Sequence, residues 1–284
     1  MNSLIKCATK TIMIVLIGGF LGATLVRFAP GYGVTEEELD GRLNGDSLRA
    51  LRLASAPPRN LMSFYLQYGG KLLHGDLGFS NAMHEPVRQL VVERFPETMR
   101  SVGFGVAFGW AVGLSLAIVS VTARSATVDF GMGLVATIAL CTPAAVLALL
   151  CVIAQAPGRL VIAAIIFPKV FQYARNLLLR SAALPHVLAA SARGLKNSRI
   201  FLRHILPVAA PQLFAVAGIT VSMAFAAAIP VEALCDMPGI GQLAWKAALA
   251  RDLELLVILT MIVTTVTLLA NSAAELLGKA AVRG

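Results

Sequence analysis

Apolar runs of membrane-spanning length recur along this chain, each separated from the next by a short polar or basic connection. About 20 apolar residues in a helix cross the hydrocarbon core of a bilayer. Backbone groups in lipid must satisfy one another, so runs of this kind fold as helices. Six segments meet or approach the length: 11–28, 98–121, 128–154, 158–172, 208–231 and 254–278. The expected fold is all-α, a polytopic membrane bundle of about six transmembrane helices. Charged residues make up only 14% of the chain and apolar ones 57%, whereas a soluble domain carries about 25% charge. Mean hydropathy is +0.78. Lipid is the solvent.

The net charge of +9 does not point to nucleic acid. Its basic residues lie in short connections between apolar runs and form no face interleaved with aromatics. The four cysteines, Cys7, Cys141, Cys151 and Cys235, have no CxxC spacing and read as small hydrophobes rather than a disulfide or metal set. Pro143, Pro211 and Pro230 fall inside spans, where neighbouring helices accommodate them. The fourth segment is the shortest, because Pro168 and Lys169 follow the run Leu160–Phe167. The first, preceded by Lys6 and Lys10, reads either as a secretory signal or as a retained helix. With no small-x-small cleavage site behind it, the retained helix is preferred.

Lysine and arginine in short connections set orientation. An N-in, C-in arrangement places 173–207 inside, with Arg175, Arg180, Arg193, Lys196, Arg199 and Arg203 and no acid. Segments 29–97 and 231–253 then lie outside, where Glu36, Glu37, Glu38, Asp40, Glu232, Asp236 and Asp252 offset the cations. The chain thus divides into a tail and first helix (1–28), an external region (29–97) with a helix-like stretch around Glu36–Leu53, and a transmembrane domain (98–284) containing the inner loop 173–207.

Gly105, Gly109 and Gly113 share one face of the second span, as do Gly218, Ser222 and Ala226 in the fifth. Small residues at this spacing let another backbone approach, as static packing or as a sliding interface. Asp129 and Lys169 sit near span ends, where snorkelling is cheap. An ion-coupled carrier would place acids at mid-depth or show inverted repeats; an embedded enzyme would cluster polar groups in the spans.

The inner loop reads HVLAASARGLKNSRIFLRHILP from His186 to Pro207, with an Ala-rich helix-forming start and a helix break at Gly194. Here the sequence resembles the permease subunits of ABC importers of the dipeptide/oligopeptide/nickel family. Their loop carries an EAA triplet, a glycine and a closing Leu-Pro. Setting Gly194 on that glycine places Ala189 and Ala190 on the alanines and Leu206-Pro207 on the Leu-Pro, with Ala192, Arg193 and Leu195 in the similar ARAKGL run. Two external stretches are similar as well. The first is GDLGFS, with Gly75, Asp76, Gly78 and Ser80; the second is the E…PGxG…RD pattern of Glu232, Pro238, Gly239, Gly241, Arg251 and Asp252. Asn271 with Glu275-Leu276-Leu277 matches the family's closing run.

The resemblance implies a permease subunit in a bacterial inner membrane, forming half of a path for a small solute such as di- or oligopeptide or nickel. It implies cytoplasmic ATPase subunits gripping the loop, a second permease (identical or not) and an extracytoplasmic solute-binding protein as partners, with no cofactor in this chain. Leu188 stands where the family has its acid, the connection Gln155–Arg159 is short, and Pro207, Val208 and Pro211 interrupt the usual run after His204. A permease-like scaffold without transport is the alternative these departures raise. No GxxxxGK[ST] phosphate loop is present, since Gly69-Gly70-Lys71 lacks the spacing and the hydroxyl. Hydrolysis of ATP therefore falls to a separate subunit. His74, Asp76, His84 and Glu85 share one external region and read as solvated loop residues before metal ligands.

Overall fold

The computed structural model describes residues 76–80, 82–123 and 125–283, with Gly70 and a few positions before residue 25. Among these few, Met13, Ile14, Ile17, Gly18 and Thr24 are helical. Most of the expected first span, the Glu36–Leu53 stretch, Gly75 and His74 lie outside the described residues.

A two-residue antiparallel ladder, β1 (Phe79–Ser80) with β2 (Glu85–Pro86), pairs Phe79 with Pro86 and Ser80 with Glu85. The helices follow in order: α1 (Val87–Ala123), α2 (Ala126–Cys141), α3 (Ala144–Ile153), α4 (Arg159–Ala182) and α5 (Pro185–Ala192). Then come α6 (Asn197–Ile200), a π turn over Phe201–Ile205, α7 (Leu206–Leu234), α8 (Ile240–Leu249) and α9 (Leu253–Arg283). Apart from the short ladder, the described residues are all-α, as expected.

Among the described residues, four helical stretches are long and apolar enough to cross a membrane: Val87–Ala123, Arg159–Ala182, Asn197–Leu234 and Glu254–Ala281. The pair α2 and α3 makes a fifth if taken as one broken span, bent by 96°. The break falls at Thr142 and Pro143, which are both extended; Pro143 has φ −60° and ψ 144°. Proline lacks the N–H that would continue α2, and it disfavours helical geometry in the residue before it. The expected single helix over 128–154 is therefore two.

The fourth span, expected over 158–172, runs ten residues further. Pro168 and Lys169 lie inside α4, which runs on to Ala182. Pro168 is buried, and its missing N–H costs one ladder bond, which the packing around it outweighs. The polar segment expected over 173–207 thereby loses its first ten residues to a helix.

The chain's contacts fall into two compact units, one of Pro96–Gln242 with Val266–Gly284, the other of the remaining residues. In the first, α4 and α7 form the central pair, with α2 packed on α4 and α3 on α7. The glycine face of α1 meets α4 directly. A Cβ at Gly105 would stand 2.5 Å from Ile162 Cγ2, and one at Gly109 2.9 Å from Ile166 Cγ2. At Gly113 the clash would be with the backbone, 2.7 Å from Phe167 O. The second small-residue face receives α9: a Cβ at Gly218 would lie 2.6 Å from Asn271 Oδ1, and Asn271 Nδ2 donates to Ser222 Oγ at 3.0 Å. Both faces are packing seams.

Candidate functional site

The segment from Leu184 to Leu206 is built as an elbow on the bundle. Pro185 opens α5 with its φ already helical and no N–H to lose. The helix ends at Gly194, whose φ of +73° only glycine adopts without strain. The N–H of Gly194 donates to Ser191 O at 3.0 Å, and that of Leu195 reaches Ala190 O at 3.5 Å, so the last carbonyls are covered. Nothing lies within 4 Å of where a Gly194 side chain would begin. Backbone conformation, not crowding, demands the glycine.

One face of this elbow is locked inward. Val187, Ala190, Ile200 and Ile205 are buried in a cluster with Ala117 of α1, Ala136 of α2, Phe171, Ala174 and Leu178 of α4, and Ala209 and Leu213 of α7. His186 Nε2 lies 3.3 Å from His204 O, tying the start of α5 to the π turn. The opposite face is open: Ala189, Ala192, Arg193 and Gly194 are exposed, and Leu188 and Leu202 are 61% and 60% exposed. Of the residues expected to act in coupling, then, Ala190 holds the elbow in place while Ala189, Ala192 and Arg193 face outward. Leu195 and Leu206 are half-buried, and Pro207 is exposed in the first turn of α7.

Glu232, near the end of α7, is completely buried. Its carboxylate accepts from Thr98 Oγ1 at 3.1 Å, Ser101 Oγ at 3.1 Å and the Gly241 N–H at 2.7 Å. Thr98 Oγ1 in turn accepts the Ile240 N–H at 2.7 Å. The first backbone donors of α8 have no partner within their own helix, and this cradle satisfies two of them. The two glycines of the PGIG run are required here: a Cβ at Gly239 would fall 2.1 Å from Glu232 Oε2, and one at Gly241 would lie 2.7 Å from the backbone oxygen of Ala228 and 2.8 Å from Glu232 Oε2. Pro238 is exposed on the turn.

In the other unit, Asp252 joins the two stretches expected outside. Ser80 Oγ donates to Asp252 Oδ2 at 2.6 Å and the Ala82 N–H reaches the same oxygen at 3.2 Å. Asp252 Oδ1 accepts the Leu255 N–H at 3.1 Å, capping α9. Asp76 Oδ1 accepts the Gly78 N–H at 2.9 Å in a short turn where Gly78 has φ 84°. Arg251, exposed with φ 55°, precedes the cap. Asp76 is committed to this turn, and among the described residues no three acidic, histidine or cysteine side chains gather as metal ligands.

Three residues outside the expected site set form a further polar cluster. Arg175 of α4 donates through Nε to Asp129 Oδ1 at 2.5 Å and through Nη2 to Asp129 Oδ2, while Ser120 of α1 donates to the same carboxylate. The pair joins three helices. Asp129 is the last acid before Glu232, and an isolated charge in so apolar a stretch is a signal that a partner must exist. Thr98 and Ser101, three apart on one helix face, carried no such mark.

Membrane-length helices, seamed by small residues and carrying a basic elbow, define a multi-pass membrane permease. Residues 103–283 match the family described as the binding-protein-dependent transport system inner membrane component, and the chain belongs to that family. Among curated relatives, a peptide permease protein of Brucella suis is 23% identical, over 87% of this chain and 84% of its own. The di/tripeptide transport system permease protein DppB of Pseudomonas aeruginosa is 25% identical, over 92% and 93%. The fold is shared with an inward-facing structure of the MetNI methionine ABC transporter, with TM-score 0.60 and 18% identity over 68% of this chain and 97% of that one.

Proposed function

We propose that this chain is one of two permease subunits of an ATP-driven importer in a bacterial inner membrane. On this reading, separate cytoplasmic ATPase subunits grip α5, and a solute-binding protein outside delivers the cargo. The observation that carries the reading is the elbow. Its inner face is buried among residues of α1, α2, α4 and α7, so a push on its exposed face is delivered to several membrane helices together. Closure of the ATPases would move those helices and switch the path between inward-open and outward-open forms, through each state's different affinity for ATP and for the loaded binding protein. Gly194 and the outward-facing Ala189, Ala192 and Arg193 form the gripped tip. The names of the curated relatives support a short peptide as cargo.

Affinity purification of the tagged chain from native membranes tests the assembly. A nucleotide-binding ATPase should accompany it, and Gly194→Val should release that ATPase. Recovery of the chain without any ATPase would reject the proposal. Uptake of labelled dipeptide, compared with nickel in a deletion strain, tests the cargo: a dipeptide deficit is expected, and a deficit confined to nickel would replace peptide with metal.

A further inference from the structure

The exposed face of the elbow has a chemistry of its own. No aspartate or glutamate occurs between Asp129 and Glu232. Arg193, Lys196 and Arg199 are all exposed, so the tip presents cations with no carboxylate beside them in sequence. Among them stands Leu188, 61% exposed and the one large apolar side chain on the open side of α5, where its exposed neighbours are Pro185, His186, Ala189, Ser191 and Ala192. Its own helix is turned away, since Val187 and Ala190 are committed to the inner cluster. A large apolar side chain held clear of the protein by a rigid short helix is a knob, and knobs of this kind dock in pockets.

We propose that the ATPase surface receiving α5 is an apolar seat for Leu188 rimmed by carboxylates facing Arg193, Lys196 and Arg199. This deepens the function proposed above and rests on α5 being the gripped tip. A groove made for an acid at position 188 would place a cation or hydrogen-bond donors there. Leu188 would bury them without a partner, which costs free energy. The chain therefore discriminates among ATPases by what it lacks as well as by what it carries. Carboxylates at the rim speed encounter and fix orientation. A membrane surface is the less suitable occupant, because interfacial helices present a broad apolar face, whereas the exposed side of α5 carries a single large apolar side chain beside His186 and Ser191.

The test uses the complex of the full chain with the ATPase that co-purifies with it, in detergent, with retention measured against ATPase concentration. Leu188→Glu should weaken retention by about tenfold or more, equivalent to about 1.4 kcal/mol. Arg193→Glu combined with Arg199→Glu should weaken it too and flatten its dependence on salt. Because these side chains are exposed, thermal unfolding of the permease alone should not move. Undiminished or tighter retention by Leu188→Glu overturns the seat. Charge reversal that alters binding to phosphatidylglycerol vesicles and leaves ATPase retention intact overturns the rim, assigning the cations to lipid. Failure of the unaltered chain to retain an ATPase rejects the functional proposal itself, and this one with it.

Discussion

Glu232 concentrates the energetics of the C-terminal end of α7 on one carboxylate. With no solvent to fall back on, its oxygens depend on Thr98, Ser101 and the Gly241 N–H. Glu232→Gln keeps the shape but turns an amide donor toward groups that already donate. A loss of about 1–3 kcal/mol is expected, read as a lower thermal midpoint in detergent. Glu232→Ala should be worse, because Thr98, Ser101 and the Gly241 and Gln242 N–H groups all lose their acceptor. Gly239→Ala forces a Cβ to 2.1 Å from Glu232 Oε2 and 2.5 Å from Thr98 Oγ1. In the Glu232→Ala background the first clash disappears and the second remains. The two substitutions should therefore be non-additive by about 0.5 kcal/mol or more, the double variant being less damaged than the sum. Additivity would mean that the turn around Gly239 relaxes independently of the carboxylate.

Along whole elements, the periodicity of small residues carries more information than their identity. Gly105, Gly109 and Gly113 are separated by one helical repeat, and this marks a seam before any partner is known; that the partner is α4 could not be read, since nothing in the spacing names the opposite helix. Gly109→Leu should force α1 from α4 and cost about 1–3 kcal/mol or more. Gly103→Leu, on a side with nothing within 4 Å, should stay within about 0.5 kcal/mol. Equal damage from both would show that helix propensity rather than the seam decides. The end of α4 was misread for a definite reason. Pro168 and Lys169 look like a terminus when hydropathy is read along the chain, but a proline costs only one bond when its neighbours pack, and the cation further on, Arg175, is neutralised by Asp129. That pairing is between distant residues, so no local pattern displays it. Asp129→Asn or Arg175→Met should each destabilise by about 1 kcal/mol, and exchanging the two charges should recover part of the loss. No recovery would place the effect in packing of the long side chains instead.

For the molecule as a whole, the decisive quantity is which charges face which compartment. Among the described residues, the apolar runs of the second, fifth and sixth spans, the small-residue seams and the elbow were legible because lipid restricts a chain to helices and because glycine marks a backbone that must turn or approach closely. The hydrogen-bond cradles were legible only as motif letters, since Ser80 with Asp252 and Thr98 with Glu232 meet across more than a hundred residues. Sidedness follows from a different physics, the retention of lysine and arginine on the inner side during insertion. The stretch from Phe130 to Val231 contains no acid, and all its exposed cations around α5 and α6 are expected inside. The segment around α8 is expected outside. Ala192 and Ala248 are exposed in their respective helices, so each accepts a cysteine at little structural cost. In a background without the native cysteines, an impermeant maleimide should label Ala248→Cys in spheroplasts. It should label Ala192→Cys only in inverted vesicles or after permeabilisation. The opposite pattern would put the elbow on the wrong side of the bilayer for any ATP-hydrolysing partner, because ATP is on the cytoplasmic side and a lever cannot be pulled by a motor it does not touch.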